Sequence, residues 1–194
     1  MDISRMLLII KFLINTSISQ NKLTRLIFDF SNGPEVNNLI TLKKNTAEEN
    51  YNLTTIKIQI FTGSSFDSAE IKSFPIYEPE NIYRNVDAAK PSVMFLHSYN
   101  ESPFNITIRA VIGAYLERGT DNVLLLDWTD LASRPYWPLL PKLKDISRFI
   151  VKTLDRLFEL GLNVDTFHLV GFSLGAEIAG FIGISSKYLL PRFT

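Results

Sequence analysis

Residues 166–183, Thr-Phe-His-Leu-Val-Gly-Phe-Ser-Leu-Gly-Ala-Glu-Ile-Ala-Gly-Phe-Ile-Gly, decide how the rest of the chain is read. Residues 166–170 are short and largely apolar, with the β-branched Thr166 and Val170, as suits a buried parallel strand. Gly171-Phe172-Ser173-Leu174-Gly175 is a Gly-x-Ser-x-Gly. After it, Ala176, Ala179, Gly180 and Gly183 recur at helical spacing and give a small-residue face that can press closely on a sheet. A serine hydroxyl is a poor nucleophile unless it is presented bare to a base and a carbonyl. A sharp strand-to-helix turn does this by holding the serine in a strained conformation. Gly171 and Gly175 must then be glycine, because a Cβ at either would collide with the neighbouring strand or helix. The helix start aims backbone N–H groups at the place where an oxyanion forms, and Leu174 N–H is one such donor. The stretch predicts a nucleophile elbow with Ser173 at its tip. A plain Gly/Ser turn is the alternative, and the strand before and helix after weigh against it.

Outward from the elbow, the chain alternates strand and helix. Residues 93–96 and 123–126 are continuous apolar runs and predict buried strands. Between them, Ser102-Pro103 reads as N-cap and first residue of a helix whose face carries Ile108, Val111, Ile112, Tyr115 and Leu116, with Gly119 ending it. Residues 129–141 hold Pro135, Pro138 and Pro141 and predict a loop. Ile146, Phe149, Ile150, Thr153, Leu154, Leu157 and Phe158 then define an amphipathic helix with Gly161 just past its end. Upstream, residues 53–61 alternate, with Ile56, Ile58 and Ile60 on one face and Lys57 and Gln59 on the other. That predicts a half-exposed antiparallel strand near an edge, with a second strand at 74–77 interrupted by Pro75. The rhythm is that of an α/β fold with a doubly wound, mostly parallel sheet.

The chain has 194 residues, with 20 Lys and Arg balancing 20 Asp and Glu, 46% hydrophobic residues and no Cys. That suffices for one domain with a real core. Scattered basic residues without a run argue against nucleic acid as a partner. The absence of Cys excludes a disulfide framework and a thiolate metal site, and neither metal nor cofactor is expected. No apolar run reaches membrane-spanning length. Residues 1–19 read as a signal peptide: Arg5 is the positive start, 6–14 the apolar core, and Ser17 and Ser19 the small residues before cleavage at Gln20. Lys11 interrupts that core. Residues 20–52 are polar and Asn-rich and predict a loosely attached strap without chemistry, leaving 53–194 as the catalytic-type domain.

The elbow segment resembles the nucleophile segment of the pancreatic-type neutral lipases, secreted α/β-hydrolases acting on triacylglycerols or phospholipids. Residues 91–99, ending in His97-Ser98-Tyr99, resemble that family's strand ending in His-Gly-aromatic. Residues 122–128 resemble its apolar strand ending in Asp-Trp, here Asp127-Trp128. The resemblance implies a partial α/β-hydrolase fold, a secreted location, a lipid ester substrate and work at a lipid–water interface. It also implies that Tyr99 N–H joins Leu174 N–H as the second oxyanion donor. His97 closes the first buried strand and reads mainly as a structural residue holding its loop; His168, in mid-strand, reads as a buried neutral side chain.

Three departures stand out. Ser98 replaces the usual Gly, and its Cβ could tilt the loop carrying Tyr99. Phe172 stands where the family usually has His, at a position pointing away from the chemistry. After Ser173 the chain has no Asp and no His, and its one downstream acid, Glu177, lies a turn into the elbow helix. The triad order in this fold is Ser, acid, His. The expectation is therefore the first half of a lipase, truncated after the elbow helix, with residues 186–194 a stand-in for a missing strand and 166–170 left as an open sheet edge. Three readings follow: an incomplete serine ester hydrolase, a non-catalytic lipid-binding or storage relative, and a truncated product without independent activity.

Overall fold

Three short runs are apolar on both faces, and they form the centre of the sheet. A computed structural model describes residues 51–194. The signal-peptide reading of 1–19 and nearly all of the 20–52 strap lie outside the described residues. The central strands are β3 (Ser92–Leu96), β4 (Asn122–Asp127) and β5 (Phe167–Gly171). β3 pairs in parallel with β4 on one side and β5 on the other. On the β4 side follow β1 (Lys57–Thr62) and β2 (Glu70–Pro75), both pairings antiparallel. Beyond β5 lies β6 (Arg192–Phe193), again parallel. The order β2-β1-β4-β3-β5-β6 makes a mixed, mostly parallel sheet.

Helices cover both faces. They are α1 (Pro79–Tyr83), α2 (Ile106–Arg118), α3 (Leu143–Glu159) and α4 (Leu174–Ser185). On one face Ile108, Ile112 and Leu116 of α2 pack on Phe61, Val93, Phe95, Val123, Leu125 and Val170. The alternate residues of the same strands, Ile58, Met94, Leu96, Leu124, Leu126 and Leu169, are buried as well, on the opposite side of the pleat. There Phe158 of α3 meets Phe167 edge to face at 5.2 Å. Ser147 ties α3 to α4 by donating to Ile178 O at 3.3 Å, and Thr153 ties α3 to the β2–α1 turn by donating to Ile76 O at 2.7 Å. The chain leaves β3 for β4 on one side and returns for β5 on the other. The order reverses at β3, which opens a crevice at the carboxyl ends of β3 and β5.

Several expectations need adjusting. The alternating run forms a strand from Lys57, preceded by a short 3-10 turn that the Asn52 side chain caps. The second strand lies at Glu70–Pro75, starting four residues before the expected 74–77 stretch and overlapping it at Phe74 and Pro75, with Pro75 as its final residue, where a missing N–H costs least. α2 starts at Ile106 rather than at Pro103. Asn105 Oδ1 accepts from the N–H and the hydroxyl of Ser102, at 3.2 and 2.8 Å, and this turn holds 102–105 out of the helix. Gly119 does end the helix, in the left-handed region at φ 70°. The Pro-rich stretch contains two helical turns, Thr129–Ala132 and Tyr136–Leu139. Strand β5 is not left open: β6 pairs with it, and Phe193 lies over Gly183 of α4.

Candidate active site

Ser173 sits where β5 turns into α4, with φ 54° and ψ −120°. Serine avoids that region, at a cost of about 1–3 kcal/mol. The turn is forced by close packing of backbone. A Cβ on Gly171 would lie 2.5 Å from Ala176 Cα and 2.6 Å from Gly175 O. A Cβ on Gly175 would lie 2.1 Å from Leu96 O and 2.6 Å from His97 O. Phe172 N–H donates to Leu96 O at 3.0 Å, so the elbow is clamped onto the end of β3. The small-residue face is used unevenly: Ala179 and Gly180 are buried, and Ala176 remains exposed.

Residues 97–100 follow β3 directly, and most of their backbone polar groups are committed. Trp128 Nε1–H donates to His97 O at 3.0 Å. Ser98 N–H donates to a Glu101 carboxylate oxygen at 2.7 Å. Asn100, at φ 55°, donates its N–H to Ala132 O at 2.9 Å. Tyr99 N–H and Leu174 N–H have no acceptor among the described residues. The Cβ of Ser98 is accommodated with the residue buried. Glu101 and Trp128 hold this loop. Glu101 carried no sequence signal, because its carboxylate reaches back three residues to a backbone N–H.

His97 is fully buried and stacked on Trp128, with ring centroids 5.6 Å apart. Trp128 N–H can only donate, and it does so to His97 Nε2 at 3.3 Å. The ring proton is therefore on Nδ1, 3.0 Å from Ser98 O. Burial depresses this imidazole below its ordinary range, so the Asp127 carboxylate 4.0 Å away faces a neutral ring. His168 is also buried, between Tyr115 OH at 3.2 Å and Thr194 Oγ1 at 2.8 Å. Burial first, then Arg192 and Arg118, push it down to about 4. Both histidines are thus spent on structural hydrogen bonds.

Tyr136, in the stretch expected to be loop, closes the site's flank. Its ring stands edge-on to Tyr99 at 5.1 Å and to Trp137 at 5.4 Å. Burial, then Glu177 and Tyr99, hold its hydroxyl above the usual range. Crowding by neighbouring protein likewise pushes the Glu177 carboxyl up. Phe104, Ile106, Trp137 and Phe172 are all exposed, on the segments that follow β3, β4 and β5 at the same end of the sheet. Among the described residues no group of His, Cys, Asp or Glu could hold a metal ion. Nor is any described helix long and apolar enough to cross a membrane.

Comparison with known proteins gives a matching relationship. The family model described as Lipase matches residues 20–194. Phospholipase A1 member A of Rattus norvegicus is 32% identical over 87 residues, 45% of this chain and 19% of that protein. Lipase member H of Danio rerio is 24% identical over 145 residues, 73% of this chain and 31% of that protein. Lipase member H of Mus musculus is 26% identical over 113 residues, 57% and 25% respectively. The matched stretches span less than a third of those relatives' own length.

Proposed function

Since the chain belongs to the Lipase family, we propose that it carries the nucleophile portion of a serine hydrolase of lipid esters, triacylglycerol or phospholipid. The observation that carries this reading is the strained Ser173 at φ 54°, presented by a turn whose two glycines touch backbone. In the proposed reaction Ser173 Oγ attacks the ester carbonyl and the alcohol leaves, giving an acyl-enzyme that water then hydrolyses. Leu174 and Tyr99 N–H groups receive the oxyanion. Neither histidine has a ring nitrogen to spare, so the base and its orienting acid come from outside these 194 residues. No cofactor takes part. The exposed rim of Phe104, Ile106, Trp137 and Phe172 supports a site that opens onto a lipid–water interface. The reading includes export, with cleavage of the leader before Gln20.

The test is hydrolysis of short p-nitrophenyl esters. This chain alone should turn them over no faster than its Ser173→Ala variant. A longer product that adds an Asp and a His downstream should show a Ser173-dependent rate. Ser173-independent hydrolysis in that longer product would overturn the assignment. For export, N-terminal sequencing of secreted protein should begin near Gln20, and an intact Met1 would refute that part.

A non-catalytic lipid-binding relative is the second reading, favoured by the engagement of both histidines. The strain at Ser173 counts against it, because binding alone has no use for a serine held there.

A further inference from the structure

Among the described residues, three tripeptides carry the Asn-x-Ser/Thr pattern to which an oligosaccharide is joined on an exported chain. They are Asn52-Leu53-Thr54, Asn100-Glu101-Ser102 and Asn105-Ile106-Thr107. The pattern treats them alike, and their hydrogen bonds do not. The Asn52 amide oxygen accepts from the Thr54 N–H at 3.1 Å and from the Thr54 hydroxyl at 2.6 Å. A backbone N–H only donates, so the atom facing it is the oxygen and Nδ2 is the atom left over. Nδ2 of Asn52 has no partner among the described residues, and both Asn52 and Thr54 are exposed.

A single turn disables the other two. The Ser102 hydroxyl donates to the Asn105 amide oxygen at 2.8 Å, and the Ser102 N–H donates to the same atom at 3.2 Å. The hydroxyl of the Asn100 tripeptide is thereby drawn away from its own asparagine. The Asn105 amide is drawn back toward Ser102, away from Thr107 in the first turn of α2. Asn105 is also half-buried. The Asn52 and Asn105 turns span two and three positions, so each is open to the chain before the sheet assembles.

We propose that Asn52 is a site of N-linked glycosylation and that Asn100 and Asn105 are not. This rests on the export that the proposed function includes. Asn52 Nδ2 attacks the anomeric carbon of an oligosaccharide carried on a lipid pyrophosphate. A C–N bond forms, the bond from that carbon to the phosphate oxygen breaks, Nδ2 gives up one proton, and the lipid pyrophosphate leaves. The amide oxygen keeps both Thr54 bonds, so the turn survives the addition. Its position suits a sugar as well. Lys57 pairs with Asp127, so the residues before β1 lie at the carboxyl end of β4, where the Thr55 hydroxyl donates to Asp130 at 3.4 Å. In the order β1-β4-β3 that flank is two strands, about 10 Å, from the loop carrying Tyr99. A glycan on Asn52 borders the open site without standing in it. Asn100, by contrast, follows Tyr99 directly, and Asn105 lies between the rim residues Phe104 and Ile106.

The experiment is expression of the full chain in a secreting eukaryotic cell, once with its own residues 1–19 and once with a borrowed cleavable leader in their place. Peptide-N-glycosidase treatment and peptide mass mapping then read the sugar. One glycan is expected: a single mobility shift that the glycosidase removes, leaving Asn52 converted to Asp. The shift should vanish in Asn52→Gln and in Thr54→Ala, persist in Thr54→Ser, and be unchanged in Asn100→Gln and Asn105→Gln. A chain carrying the borrowed leader with no sugar on Asn52, or with sugar on Asn100 or Asn105, would overturn the proposal. Sugar on Asn52 under the borrowed leader, with no export under residues 1–19, would support the site and refute the leader instead.

Discussion

Gly175 and Gly113 are both helical glycines, and they should respond to alanine in opposite ways. At Gly175 the new methyl would sit 2.1 Å from Leu96 O, against backbone that belongs to the centre of the sheet. We expect Gly175→Ala to destabilise by about 3 kcal/mol or more in urea unfolding. At Gly113 a methyl would meet nothing closer than Phe66 Cβ at 3.9 Å. There alanine should be neutral or stabilise by up to about 1 kcal/mol, through helix propensity alone. His97→Leu should cost about 2–4 kcal/mol, because it strands Trp128 N–H and Ser98 O in a dry interior. The steric need for the two elbow glycines was legible in the sequence, since turn geometry alone demands them. The partners of His97 were not, because they come from residues up to 31 positions away.

At the scale of elements, reading improves with the length and regularity of a pattern. α3 was legible because six apolar residues and Thr153 repeat at helical spacing; Ile150 and Leu154 are indeed fully buried. Leu154→Ala should cost about 2–5 kcal/mol, and Lys152→Ala, on the exposed face, less than about 0.5 kcal/mol. The start of α2 was misread because Ser102-Pro103 is a sound local cap, and only the Asn105 side chain reveals that the turn closes first. The stretch after β4 was misread as loop for a similar reason. Its prolines forbid a long helix but not single turns. The second of those turns carries Trp137, 55% exposed, while Trp128 is buried. These are the chain's two tryptophans. If the rim meets lipid, anionic or zwitterionic phospholipid vesicles should shift the emission to the blue, and Trp137→Phe should abolish the shift. Unchanged emission in the native chain would count against the interface.

For the whole molecule, pH acts through the two buried histidines. Both are depressed in the fold, so the unfolded chain takes up protons first. Their contribution to stability is complete above about 6.5 and is lost as the pH falls below it, for His168 down to about 4. For His168 the gap from 6.5 to about 4 is worth at most about 3 kcal/mol, less what solvent screens. Urea midpoints should therefore fall between pH 7 and pH 4.5, and fall less in His168→Leu. The open β5 edge expected from the sequence is absent, because the sequence shows strand potential but not what lies beside it. Two residues at 192–193 are too short a run to announce a strand, and only the register with His168 and Leu169 defines them as one.

The contact between Gly175 and the carbonyl oxygens of Leu96 and His97 has a genetic consequence. Every missense change that a single nucleotide can make in a glycine codon brings in a side chain with a Cβ. Each of them puts that atom into the same two oxygens. A lineage carrying this gene cannot drift through Gly175 by tolerated intermediates, even one that has given up every other part of the chemistry. Loss of that codon would record the decay of the fold itself, and its persistence alone would say nothing about activity.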